Sequence, residues 1–190
     1  MKTALIVSRT GQSVLFIKDM LKLAAVPNVD TATSCEEARA KLFVVDYDLV
    51  IINAPLQDEF GEKFSVDIAK EKNSQVMLIV KNDIFDDVSL KTEKYGVISV
   101  SKPVNKTIFW SALKIAKSSF KLVRKFQEEN TKLRQTLEDV KIIDRAKLLL
   151  ISHLGMDEQS AHRYIEKQAM DLRSTKREVS EGILKTYANK

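Results

Sequence analysis

The sequence predicts an α/β protein in three parts: a five-stranded parallel sheet wound on both faces by helices, a long coiled-coil helix, and a compact module of three helices. Three observations carry this. Five short apolar runs alternate with amphipathic stretches through the first hundred residues. Residues 104–154 then contain neither Gly nor Pro in 51 positions. Past Gly155, two sets of helix-start signals each precede apolar residues at helical spacing.

The apolar runs lie at residues 4–7, 29–32, 49–52, 76–80 and 97–100. They are continuously apolar and rich in β-branched residues, the pattern of strands covered on both faces, and parallel neighbours need the crossovers that the amphipathic stretches supply. Ser34 with Glu37 makes a capping box for the helix between the second and third strands. The expected architecture is a doubly wound sheet of flavodoxin-like order, with functional loops at the carboxyl ends of the strands. Lys102-Pro103 closes this part.

If the segment that follows is helical, it runs roughly 75 Å at ~1.5 Å per residue, too long to pack only on its own domain. Written in heptads, its core positions hold Ala116, Val123, Asn130 and Leu137 at one site and Ser119, Phe126, Leu133 and Val140 at the other. This spacing predicts a homodimeric coiled coil whose contacts are Val123, Phe126, Asn130, Leu133, Leu137 and Val140. A lone core Asn selects a parallel, in-register, two-stranded pair at some cost in stability.

The last module begins inside this helix, where Ile143, Ala146, Leu150 and Leu154 recur at helical spacing and Gly155 stands at the closing position. Asp157 can cap the second helix, with Met156 and Ala161 at hydrophobic-staple positions. Its expected buried face is Ala161, Tyr164, Ile165, Ala169 and Leu172. Thr175 and Glu178 form a capping box for a third helix carrying Val179, Ile183 and Leu184.

Hydrophobic residues make up 44% and charged residues 30%, a balance that excludes a disordered or membrane-embedded chain. No apolar run is long enough to span a bilayer and the N-terminus lacks the length of a signal peptide, so a cytoplasmic location is expected. Cys35 is the single cysteine, and His153 and His162 have no zinc-site spacing; no disulfide, metal or cofactor is expected. Residues 1–104 hold 13 Lys or Arg against 15 Asp or Glu (net −2), whereas residues 105–190 hold 18 against 11 (net +7). The basic half favours an anionic partner.

In the module, Asp144-Arg145-Ala146-Lys147, Gly155, Ala161-His162-Arg163-Tyr164, Ala169-Met170-Asp171 and Val179-Ser180-Glu181-Gly182-Ile183-Leu184 form a pattern that closely resembles the ANTAR domain. The likeness spans residues 137–187. It implies the RNA-binding module of a transcription antitermination regulator, one that grips hairpin loops in leader transcripts. Ser180 and Gly182 depart from the family's more usual Ala, which loosens the last helix.

Residues 1–120 resemble the receiver domain of two-component response regulators, in a degenerate form. That family holds Mg²⁺ on two acidic residues after the first strand and phosphorylates an Asp at the end of the third. It places a hydroxyl residue at the end of the fourth strand and Lys-Pro at the fifth. Here Ser8 and Arg9 replace the acidic pair, Asn53 replaces the acceptor, Val80 stands near the hydroxyl position, and only Lys102-Pro103 is retained. Two carboxylates are needed to hold a hard cation through oxygen, and an amide accepts no phosphoryl group. Lys102 is expected to hydrogen-bond Asn53 or to lie at a solvent edge; the alternative is that Arg9 and Lys102 together form a small cationic pocket for an anion. Asp58, Glu59, Asp86 and Asp87 are expected in loops as solvated groups.

The resulting parts are a receiver-like domain at 1–120, a coiled-coil helix at 105–142 and an ANTAR-like module at 137–190. Lys141, Arg145, Ala146, Lys147, Arg163, Lys167, Arg173 and Lys176 are the expected RNA-binding residues, with Arg145 and Lys147 foremost and Ala146 weighed chiefly as a packing residue. The cations neutralise phosphates, and a small residue permits close approach. The function expected is a dimeric, non-enzymatic antitermination regulator controlled independently of Asp phosphorylation, with a sensor or regulatory protein as a further partner of the receiver-like domain. The alternative is a signalling scaffold in which both the receiver-like domain and the basic module bind proteins.

Overall fold

The computed structural model describes residues 1–187. The last three residues of the expected module, 188–190, lie outside the described residues. Five parallel strands, β1 (Thr3–Ser8), β2 (Asn28–Ala32), β3 (Leu49–Asn53), β4 (Gln75–Lys81) and β5 (Ile98–Lys102), pair in the order β2-β1-β3-β4-β5. The crossovers contain α1 (Gly11–Leu23), α2 (Cys35–Val44), α3 (Glu62–Glu71) and α4 (Phe85–Thr92). Each of the five expected strands is present.

Alternation along the strands makes two cores. Leu5, Val7, Val50, Ile52, Leu78 and Val80 face one way and pack with Phe64 and Val88. Ala4, Ile6, Leu49, Ile51, Met77, Ile79 and Val100 face the other and pack with Ile17 and Leu21 of α1 and with the start of α5 (Lys106–Leu154). Phe16 and Phe109 meet edge to face on that side, their ring centres 5.7 Å apart.

The long Gly-free helix is confirmed as α5, but its first turns belong to the sheet. Phe109, Leu113 and Ala116 are buried in the α1-side core, so Ala116 packs there instead of on a coiled-coil seam. The apolar heptad positions beyond it are different: Val123, Phe126, Leu133, Leu137 and Val140 are 49–65% exposed. The chain divides inside α5 into two compact units, Met1–Arg124 and Lys125–Lys190.

In the second unit, Ala146 and Leu150 of α5 share a core with Ala161 and Ile165 of α6 (Glu158–Asp171), flanked by Ile143, Met156, Val179, Ile183 and Leu184. The last three of these belong to or flank α7 (Lys176–Tyr187). Gly155, at φ +63°, closes α5, and Asp157 Oδ1 accepts from Ser160 N at 2.6 Å to cap α6. Thr175 and Glu178 form the expected reciprocal box: Thr175 N donates to the Glu178 carboxylate at 2.8 Å and Glu178 N to Thr175 Oγ1 at 3.2 Å. The Ser34 cap of α2 is also present, although Glu37 reaches the N–H and hydroxyl of Thr33 instead of Ser34 N.

Three apolar residues expected in this small core lie outside it. Leu154 and Leu172 are 50% and 66% exposed because they stand at the very ends of α5 and α6, past the last buried turn. Tyr164 is partly exposed because it flanks the Ala161–Ile165–Ala169 stripe, and it lines a cleft with Leu150, Gln168 and Ile183. Ser180 is fully buried, and its hydroxyl has no hydrogen-bond partner. An unpaired buried hydroxyl costs about 1–3 kcal/mol. Ser180→Ala is therefore expected to stabilise the second unit by about 1 kcal/mol, read as a rise of roughly 4–8 °C in its thermal midpoint by calorimetry. An unchanged or lowered midpoint would show that the hydroxyl is paired in solution.

Candidate nucleic-acid interface and the receiver edge

The second unit's cations divide into two groups. Lys147 bridges Asp144 at 2.8 Å and Glu158 at 3.4 Å, its side chain only 16% exposed. The two carboxylates hold its ammonium above the ordinary lysine value, with the Asp144 contact the larger cause. Lys147 thus ties α5 to α6. Arg177 similarly joins α7 to α5, meeting Asp139 at 2.7 Å and Glu181 at 2.8 Å. Lys141 is paired with Glu138 and Lys176 with Glu166, whose carboxylate also meets His162.

Lys132, Arg134, Arg145, Arg163, Lys167, Arg173 and Lys185 form the other group. All are exposed, and among the described residues none has a carboxylate at ion-pair distance. Arg163 and Lys167 lie between the buried positions Ala161, Ile165 and Ala169, so helical geometry turns them away from the core. Arg173 adopts φ +50° just past α6, with Ser174 N donating to Ala169 O at 3.0 Å. Glycine would hold this left-handed position at about 1 kcal/mol less cost. An arginine stands there instead.

Ala146 is fully buried and cannot touch an RNA partner. Its place among the RNA-binding residues is corrected to packing, where a methyl side chain lets α5 and α6 approach closely. The charge asymmetry also resolves more finely. Residues 105–130 hold six Lys or Arg against two Asp or Glu, whereas residues 131–184 hold ten against nine. The excess sits along α5, and the three-helix module is close to neutral, so its capacity for phosphate rests on which cations lack internal partners.

At the carboxyl edge of the sheet, Ser8 and Asn53 are register partners, and Asn53 Nδ2 donates to Ser8 Oγ at 3.0 Å. Lys102 Nζ donates to the carbonyl of Ala54 at 2.5 Å, one residue beyond the Asn53 partner expected. Val80 is buried in the opposite core and offers no group to this edge. A serine, an arginine, an amide and a lysine do not fit Mg²⁺, which asks for carboxylate oxygen. Burial, then Lys81 and Arg9, press the Lys102 ammonium below its ordinary value. Lys81 was missed in the sequence; its signal was a charged residue directly after the apolar run of the fourth strand.

The nearby acidic residues are engaged at helix starts. Asp58 accepts from Cys35 N at 2.9 Å and Glu36 N at 3.0 Å, and these amides hold its carboxyl below the usual range. Glu59 pairs with Arg39 at 2.6 Å, while Asp86 and Asp87 fall in the first turn of α4, where helix amides favour them. Cys35, Asp58 and Glu59 lie together, but burial and the two carboxylates push the thiol up to about 12, so it stays protonated at neutral pH.

Residues 131–184 match the model of the ANTAR domain, beginning six residues before the likeness read from the sequence. The transcriptional regulatory protein PdtaR of Mycobacterium tuberculosis is 26% identical over 170 residues, covering 90% of this chain and 83% of that protein. A two-component response regulator from Clostridium difficile superposes with TM-score 0.55 at 23% identity over 62% of this chain and 97% of its own. A structure described as adenylate cyclase from Rhodopirellula baltica reaches TM-score 0.61 at 17% identity over 69% and 98%. These two likenesses are of fold.

A receiver fold followed by an ANTAR domain is the architecture of an ANTAR response regulator. Residues 131–184 match the ANTAR domain, and the chain is similar over most of its length to a transcriptional regulatory protein. No helix among its described residues is long and apolar enough to cross a membrane.

Proposed function

We propose that the protein is a non-enzymatic, dimeric RNA-binding antitermination regulator of the cytoplasm, which grips hairpin loops in leader transcripts without Asp phosphorylation. The observation that carries this is the coincidence of the ANTAR domain with exposed cations, Arg145, Arg163, Lys167 and Arg173 among them, that have no carboxylate at ion-pair distance among the described residues. Such groups neutralise phosphates, and Tyr164, partly exposed at the cleft, offers a planar surface for a base splayed from a loop. Lys141, Lys147 and Lys176 contribute less because each already holds a carboxylate. The exposed apolar heptads of α5 pair two copies around Asn130, and two modules on one coil gain avidity only where hairpin spacing matches theirs.

The near-neutral charge of residues 131–184 favours a second reading, in which the module docks a protein and the receiver-like domain binds a sensor. Filter binding separates the two. Retention of a hairpin RNA well above a loopless duplex supports the first reading, and retention of neither supports the second.

Independence from phosphorylation has its own test. Acetyl phosphate with Mg²⁺ is expected to leave the mass of the protein unchanged, because Asn53 accepts no phosphoryl group and Ser8 and Arg9 hold no metal. Asn53→Asp alone should remain unmodified for the second reason. A stable gain of one phosphoryl group at the third-strand end in intact-protein mass spectrometry would overturn this part of the reading.

A further inference from the structure

The receiver edge has lost the groups that bind a cation and gained groups that repel one. Alternation along the strands places Ser8, Asn53, Lys81 and Lys102 on the same face as Ile6, Ile51, Ile79 and Val100, the α1 side of the sheet. Lys81 and Lys102 are register partners on adjacent strands, so their backbones are about 5 Å apart. Arg9 follows β1 directly and acts on Lys102 together with Lys81. Among the described residues no carboxylate stands at ion-pair distance from any of the three.

Beside these cations is a cavity of about 350 Å³. Phe16 and Ile79 are among its apolar walls, and Gln12, Ser13, Asn53 and Lys102 supply its polar groups. Its volume is at the lower end of small-molecule sites. Lys102 spends one N–H on the Ala54 carbonyl, which leaves donor capacity on the same ammonium. The cavity adjoins the start of α1, a helix of 13 residues whose Thr10 makes no side-chain cap and whose first turn has no acidic residue. Its partial positive charge adds to that of the side chains.

We propose that this pocket binds a small organic anion: an oxyanion head held by Lys102 under the field of Arg9 and Lys81, on a short apolar body packed against Phe16 and Ile79. Metal and phosphoryl transfer have no part in it. An inorganic anion would satisfy the cations but leave the apolar wall uncovered. A neutral compound of the same shape would leave the cations without a counter-charge.

Calorimetric titration of the full chain with benzoate, phenyl phosphate, benzamide and inorganic phosphate, at ionic strength matched by sodium chloride, tests the proposal. Benzoate or phenyl phosphate, the two arms separating carboxylate from phosphate monoester, is expected to bind at least about tenfold more tightly than benzamide and than inorganic phosphate. Lys102→Met should weaken that binding by about tenfold or more, and Arg9→Gln, at an exposed position, by several-fold without disturbing the fold. Arg9→Gln and Lys81→Gln decide the matter should Lys102→Met fail to fold. Organic anions that bind no better than benzamide or inorganic phosphate, or undiminished binding by the folded variants, would overturn it. The readout involves no RNA, so it stands or falls apart from the antitermination reading.

Discussion

Leu133→Asp is expected to convert the proposed dimer into a monomer at micromolar concentration. Leu133 is 65% exposed on α5, in one stripe with Val123, Phe126, Leu137 and Val140, and such a row of apolar side chains is removed from water when two copies coil together. An aspartate at that seam would bury a charge in each chain, and a cost of about 3 kcal/mol weakens the dimer about a hundredfold. Sedimentation velocity reads this directly. The variant's own fold should be unaffected, because the side chain belongs to none of the three cores. A monomeric wild-type protein, or a variant that stays dimeric, would contradict the coiled coil. Asn130→Leu offers the complementary result, since removing the polar core residue should tighten association while relaxing the preference for a two-stranded, in-register pair.

The largest loss of RNA affinity is expected from Arg163→Ala combined with Lys167→Ala. Both side chains point away from the module's core, so removing them leaves packing unchanged. If each meets a phosphate, the slope of log Kobs against log salt should become shallower by about 0.7–0.9 per contact, with affinity falling for every hairpin alike. Arg145→Ala should act in the same direction. Lys147→Ala is expected to behave differently: it breaks a bridge between α5 and α6, so its first effect is a lower thermal midpoint. Full affinity and an unchanged salt slope in the Arg163→Ala/Lys167→Ala double variant would move the interface elsewhere.

The sheet was legible because buried parallel strands write their burial as continuous apolar runs, and α5 because Gly and Pro are absent over its whole length. The caps at Asp157 and Thr175 were legible for a local reason, since their partners stand three residues away. What sequence could not supply was any choice between partners distant in the chain. The Asp144–Lys147 pair lies at helical spacing, but Glu158 comes from the next helix, and that second carboxylate makes Lys147 a tie between α5 and α6. The heptad count also reached too far: Ala116 satisfies both a coiled-coil seam and a helix packed on a sheet, because 3.5- and 3.6-residue periods diverge only slowly. Ser8, Arg9 and Asn53 were readable as a missing chemistry, whereas the cavity beside them depends on Phe16 and Val104 folding in from elements far apart in sequence.

The most direct measurement of the central claim is sequencing of RNA crosslinked to the protein in cells, with the Arg163→Ala/Lys167→Ala variant as control. Binding to leader transcripts predicts that crosslinked reads concentrate at the loops of closely spaced hairpins that compete with terminators, and that this enrichment collapses in the variant. Reads distributed without regard to hairpin loops, or recovered equally from the variant, would contradict it.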